Sequence, residues 1–243
     1  VMDFPIEGLH TETGPGVLEA ALAVDEAVNA ADKAALFKTF TKVLMQRNDV
    51  MATFMSKWSN DHAGQSGHLH MSLFDSNGKN VFYDAASEHQ MSKTMRSFLA
   101  GQLALMGEMC SMIAQTVNAY SRLIPGFWAP VNATWGVENR TTALRVIPGS
   151  EKGQRVEYRI AAADANPYVL MAAALGAGLY GIEKGLELGP AIAGNAYTQT
   201  LDEKTALPST LWDAAQRLKR SEAARALFGD AFVEHWAAHR EWE

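Results

Sequence analysis

Apolar residues recur at i, i+3 and i+4 through DEAVNAADKAALFKTFTKVLMQRN, residues 25–48, which predicts a helix with Asp25 as its cap. HLHMSLF, residues 68–74, alternates polar and apolar positions, the pattern of a half-buried strand, and DSNGKN behind it has the composition of a hairpin turn. Residues 1–24, broken by Gly8, Gly14, Pro15 and Gly16, read as strand, turn and strand. A further strand is expected at 50–58, then a polar loop, SNDHAGQSG. The Met- and Leu-rich stretch 88–120 predicts one long helix or a pair, and a turn is expected at Pro125–Gly126. Strand-like segments follow around 130–147 and 155–161. Residues 166–187 predict a buried Ala- and Gly-rich helix with Pro167 in its first turn, where the missing N–H costs nothing. One or two amphipathic helices are expected over 209–228. Strands and helices mix without regular βαβ spacing, so the fold class is α+β.

Composition narrows the class. The chain has 243 residues, 48% hydrophobic and 20% charged, enough for one large domain or two small ones and too apolar for disorder. It has no unbroken apolar run of the ~18–20 residues that a membrane span needs. The lone cysteine, Cys110, excludes a disulfide framework and a cysteine-based zinc site. A net charge of −6 argues against a general nucleic-acid surface. A cytoplasmic protein is expected, with no nucleic-acid or membrane partner. Neither end has the look of a natural terminus, so a piece of a longer chain is also expected.

Arginine placement changes the picture most. Arg122, Arg140, Arg145, Arg155 and Arg159 fall within residues 122–159, where Lys152 is the sole lysine and Glu138, Glu151 and Glu157 the only acids. Arginine in place of lysine suits planar, bidentate gripping of phosphate or carboxylate groups; surface ion pairs would give the same composition. In RVEYRI, Arg155, Glu157 and Arg159 share one strand face and Val156, Tyr158 and Ile160 the other. That face suits a cation held by the carboxylate and phosphates held by the arginines, and equally a solvated face. His68, His70 and Ser72 likewise share a face, able to meet a metal or a phosphate or simply water. Glu12 and Glu19 flank a Gly-Pro-Gly turn that can bring two carboxylates to a hard cation such as Mg²⁺. Neither glycine-rich nucleotide fingerprint is present, nor a nucleophile elbow. Carboxylates, His and Arg around a metal point to phosphoryl transfer rather than covalent catalysis.

FMSKW, GQSGHLHMSLFD, SRLIPG, ENRTTALRV and RVEYRIAAADANPYVLMAAALGAGLYGI, in that order, resemble the catalytic domain of the glutamine synthetase family, from residue 10 to about residue 187. The resemblance implies a mostly antiparallel sheet lined with active-site residues and packed by helices. It also implies that the family's amino-terminal β-grasp domain, the first part of its catalytic domain and a glutamate pair that adds a ligand to each of two metal sites lie outside residues 1–243. The implied activity is ATP-dependent ligation of glutamate to an amine through γ-glutamyl phosphate, with Mg²⁺ or Mn²⁺ as cofactor and a homo-oligomer as the assembly.

Carried over by position, Glu12 and Glu19 resemble ligands of the first metal, and His68 and Glu157 ligands of the second. Arg122 and Arg159 match arginines associated with glutamate, and Gly64 falls in the glutamate-binding loop. Arg140, Arg145 and Arg155 match positions gripping ATP phosphates and the transferring group; His70 and Ser72 border ATP, and Arg122 and Arg140 are the catalytic candidates. Two positions depart from the pattern of ammonia-using members. Trp128 stands where they carry a flap glutamate that helps bind and deprotonate ammonium, and Ala63 where they often carry Asn. Trp128 takes no proton but can stack on an alkyl chain or attract a cation, so it is the amine-pocket candidate. An organic amine (polyamine, ethanolamine or alkylamine) is expected over ammonia. The alternatives are a true glutamine synthetase and a non-catalytic structural or binding relative. Tyr197 lies near the family's regulatory adenylylation tyrosine, in NAYTQT, which lacks the usual motif. Residues 1–243 alone are expected to be inactive.

Overall fold

The computed structural model describes residues 5–243. Strands β1 (Ile6–Thr11) and β2 (Leu18–Leu22) form an antiparallel hairpin, as the glycine pattern predicted. Helix α1 (Ala27–Gln46) follows. Its cap position is Glu26, with no side-chain cap bond, so the expectation for Asp25 fails by one residue. Asp25 instead accepts from the Glu26 N–H at 2.8 Å and pairs with Lys33 at 2.5 Å.

The predicted strand at 50–58 is irregular extended chain. Its backbone groups go to single partners rather than to a ladder. Asn118 accepts from the Lys57 N–H at 2.8 Å and donates to the Lys57 carbonyl at 2.9 Å, while the Ser56 carbonyl accepts from Gln65 N–H at 2.7 Å.

The main sheet contains β3 (Leu69–Met71), β4 (Trp135–Val137), β5 (Leu144–Ile147) and β6 (Arg155–Tyr158) in the order β3-β6-β5-β4. Only the β4–β5 pair is parallel. The turn 75–80 closes as predicted, with Gly78 at φ +77°. The stretch 88–120 breaks into α2 (Lys93–Met106), α3 (Cys110–Ile113) and α4 (Val117–Arg122). Hydroxyl caps begin the first and last of these: Ser92 accepts from Met95 N–H at 3.0 Å and Thr116 from Ala119 N–H at 3.1 Å. Gly107 ends α2.

Helix α5 (Pro167–Glu183) has Pro167 in its first turn and Asn166 as cap. Helices α6 (Leu211–Arg220), α7 (Glu222–Phe228) and α8 (Asp230–Trp242) close the chain, the first two within the predicted 209–228 and the third over the helical pattern of HWAAHREWE. The inner face of the sheet (Leu69, Met71, Leu144, Val146, Val156, Tyr158) joins α2, α3 and α5 in one core. The outer face is left to polar groups. No helix of the described residues is long and apolar enough to cross a membrane.

Candidate active site

Glu157 is the centre of the outer face. In register it lies opposite His70 on β3 and Arg145 on β5, so the predicted alternation on both strands is realised. It is only 3% exposed. Oε1 meets Arg159 at 2.5 Å and His68 Nδ1 at 3.2 Å; Oε2 accepts from Arg145 at 3.0 Å. Burial alone would raise this carboxyl; Arg159 first, then the histidines and Arg145, outweigh it and hold it below the usual range. Arg145 also pairs with Glu138, a residue the sequence reading did not single out. On the same face Arg155 donates to His70 Nδ1 at 3.2 Å.

His68 is neutral. Burial, helped by Arg159, pulls its imidazole down to about 3. Nδ1 therefore carries the proton toward Glu157 and Nε2 presents a lone pair. That Nε2 is buried without a partner, as are Arg122 Nε and Arg159 Nε. An orphaned imidazole lone pair beside a carboxylate is the chemistry of a divalent-cation ligand.

Arg122, at the end of α4, is buried, and its Nη2 donates to the carbonyls of Ile160 and Ala161. Burial brings its guanidinium down to about 10, still cationic at neutral pH. Gly64 packs over it: a Cβ there would sit 2.2 Å from the Ser56 carbonyl and 2.8 Å from Arg122 Cγ. Asp164, another unpredicted residue, ties this corner together by accepting from Ser56 at 2.8 Å and Thr116 at 2.8 Å. Lys38 on α1 donates to the Ala165 carbonyl at 2.6 Å beside it. A short polar residue in an Ala-rich run, ADANP, was the available signal for Asp164.

Glu12 and Glu19 meet across the hairpin end. Burial, a hydrogen bond with Glu12 and the Glu12 charge all push the Glu19 carboxyl up, and Glu157 adds to the repulsion. Two adjoining carboxylates that repel each other fit a cation between them. Among the described residues, though, no three His, Cys, Asp or Glu side chains converge as a metal cluster. The structure thus presents two pairs, Glu12 with Glu19 and His68 with Glu157, and neither is a full ligand set.

The remaining candidates lie at the rim. Arg140 is exposed in the β4–β5 turn, and Ser72 is half-buried just past the last paired residue of β3. Trp128 is 53% exposed and adopts φ +59° in the segment after Gly126, itself at φ +88°. Phe127 beside it covers the buried Lys57, whose Nζ lies 4.5 Å from the ring centroid. Lys57 was legible only as part of FMSKW.

With the geometry in place, comparison with known proteins is decisive. The family described as "Glutamine synthetase, catalytic domain" matches residues 1–243. The chain belongs to the glutamine synthetase family. It is 44% identical over 244 residues to Type-1 glutamine synthetase 2 of Dictyostelium discoideum, covering 98% of this chain and 46% of that protein. It is 40% identical to glutamate–isopropylamine ligase of Pseudomonas sp, covering 98% and 52%. The solved GmaS/ADP complex superimposes with a TM-score of 0.89 at 30% identity, covering 99% of this chain and 57% of that one. The chain spans about half the length of the curated relatives it matches. The expected glutamine synthetase-type α+β fold is thereby established.

Proposed function

We propose that this chain is the catalytic part of an ATP-dependent ligase that joins glutamate to an organic amine through γ-glutamyl phosphate. The observation that carries this reading is the set of buried, unpartnered donors around Glu157 and Arg122. Such groups are costly to leave unmet in a folded protein and are satisfied by an anionic ligand. Similarity to glutamate–isopropylamine ligase supports the substrate class.

In this reading Arg122 and Arg159 hold glutamate under Gly64. Arg145 and Arg155, with Arg140 at the rim and His70 and Ser72 along β3, meet the phosphates of ATP. Glu12 with Glu19, and His68 with Glu157, would hold Mg²⁺ or Mn²⁺, which offsets the phosphate charge when bound. Glutamate's γ-carboxylate takes the terminal phosphoryl group and ADP leaves. The amine nitrogen then bonds to the γ-carbon, orthophosphate leaves, and the nitrogen loses a proton. Trp128 cannot receive that proton, but its exposed ring can cover an alkyl or cationic amine. A homo-oligomer belongs to the same reading.

The test is ATP- and Mg²⁺-dependent phosphate release by the full-length protein with glutamate and, in parallel, ammonia, ethanolamine, methylamine, putrescine and spermidine. Turnover at least tenfold better with an organic amine is expected, and Trp128→Glu should shift preference toward ammonia. Preference for ammonia in the natural protein makes it a glutamine synthetase. No release with any amine overturns the ligase reading.

A further inference from the structure

Lys57 is the one buried lysine among the described residues, and nothing above accounts for it. It forms no ion pair among those residues. Its ammonium donates to the His62 carbonyl at 2.5 Å and faces the Phe127 ring, 4.5 Å from the centroid. A buried cation without a counter-charge is costly, so these two contacts are its compensation. They also select a cation: an apolar chain would leave the carbonyl unmet, and a carboxylate would face two electron-rich partners. The Lys57 backbone does not need the ammonium, because Asn118 of α4 already bonds both of its main-chain groups.

The two contacts join two loops. His62 belongs to the loop that carries Gly64. That loop is closed at its base by the Gln65 N–H on the Ser56 carbonyl at 2.7 Å, and the His62 ring stacks on Trp58 with centroids 5.5 Å apart. Phe127 belongs to the flap that carries Trp128. The residues on either side of Phe127, Gly126 and Trp128, both take left-handed backbone, at φ +88° and +59°. For tryptophan that conformation is strained and persists only where the surroundings enforce it. Trp128 is itself 53% exposed and makes no ring-stacking or cation contact among the described residues. The contact next to it that can enforce the strain is Phe127 on Lys57.

We propose that Lys57 is a positioning residue for the amine: its ammonium, anchored on the loop of Gly64, grips Phe127 and through it fixes Trp128 as a wall of the amine pocket. The proposal rests on the ligase reading for the identity of that pocket. It ties the glutamate loop and the flap to one buried charge, so the two sides of the site keep a set spacing.

The experiment places mono-, di- and trifluorinated phenylalanine at position 127 of the full-length protein. Each fluorine drains the ring face and weakens its hold on a cation with little change of size. The readout is KM for whichever of ammonia, ethanolamine, methylamine, putrescine and spermidine is turned over best. It should climb with each fluorine, by about fivefold to thirtyfold in all. KM for ATP and the melting temperature should stay within error. In a Lys57→Met background the series should be flat. A flat series in the natural background, or an equal slope with Lys57→Met, overturns the proposal and leaves the ligase reading standing. If no amine is turned over, the ligase reading fails, and hydrogen exchange at the amides of Gly126, Phe127 and Trp128 takes over. Exchange about fivefold faster in the trifluorinated protein keeps Lys57 as the anchor of the flap, and unchanged exchange ends the proposal. Should Lys57→Met not fold, the series in the natural background carries the test alone.

Discussion

The contact between α2 and α5 is buried and the outer face of β3-β6-β5 is buried only around Glu157, and the two are built on opposite rules. Where the helices cross, Gly101 and Gly181 bring the two backbones together: a Cβ on Gly181 would lie 2.1 Å from the Ser97 carbonyl and 2.6 Å from Gly101 Cα. Phe98 fills the space over Gly178. That region is closely packed, with Gln102 Nε2 donating across it to the Ala174 carbonyl at 3.0 Å and Gln102 Oε1 its one unpartnered side-chain polar atom among the described residues. The sheet face gathers four ion-pair and imidazole contacts on Glu157 and its neighbours, and still leaves His68 Nε2, Arg122 Nε and Arg159 Nε unmet. Elsewhere Gln102 Oε1, Ser111 Oγ and Arg240 Nε are unmet singly, whereas His68 and Arg159 share one carboxylate, where a ligand can complete them. Close packing therefore marks the scaffold here, and a cluster of unmet charged and imidazole groups marks the site.

The sharpest way to break this comparison is to crowd the closely packed region. Gly181→Leu forces backbone against side chain where no rotamer offers relief. A loss of about 3 kcal/mol or more is expected in urea unfolding, at the upper end for overpacking. A loss below about 1 kcal/mol would show that the helices separate freely and that the glycines are incidental.

The sheet face should answer differently, because its energy is electrostatic. Glu157→Gln leaves Arg159 and Arg145 facing each other with reduced compensation, and about 3 kcal/mol should be lost in metal-free buffer. Adding Arg159→Met should restore part of that loss, since removing both partners of a buried pair costs less than removing one. Additive losses, measured by the same unfolding experiment, would mean that Glu157 acts through packing rather than charge.

Much of this contrast was legible in the sequence, for reasons that differ by region. The alternation in HLHMSLF and RVEYRI gives both strands and assigns their faces, because a period of two leaves one polar face and one apolar face. The Ala- and Gly-rich run announces a close-packed α5, since only small side chains allow such an approach. The strand expected at 50–58 fails because apolar content says nothing about a missing ladder partner. Asp25 misses the cap by one residue because Glu26 is equally polar. Asp164 and Lys38 escaped because each works through tertiary contacts with hydroxyl or backbone groups far away in sequence, and Glu138 because its pairing with Arg145 depends on how the chain turns between β4 and β5. The pairing of Glu157 with three cationic or imidazole groups needed the register of β3, β6 and β5.

The smallest effect belongs to the rim of the face, at Glu138. Its carboxylate pairs with Arg145, as Glu157 does, but its side chain is 49% exposed. An exposed ion pair contributes roughly 0–1 kcal/mol, because water screens it and both chains lose freedom. Glu138 also holds φ +51°, a left-handed conformation that costs a non-glycine residue about 1 kcal/mol. Glu138→Gly therefore removes a weak pair and a strained backbone together, and Arg145 keeps Glu157 as its partner. Unfolding free energy within about 0.5 kcal/mol of the natural protein is expected, with the balance toward a gain. A loss above about 1 kcal/mol would place the exposed pair on the same footing as the buried one, and the distinction between rim and centre would fall.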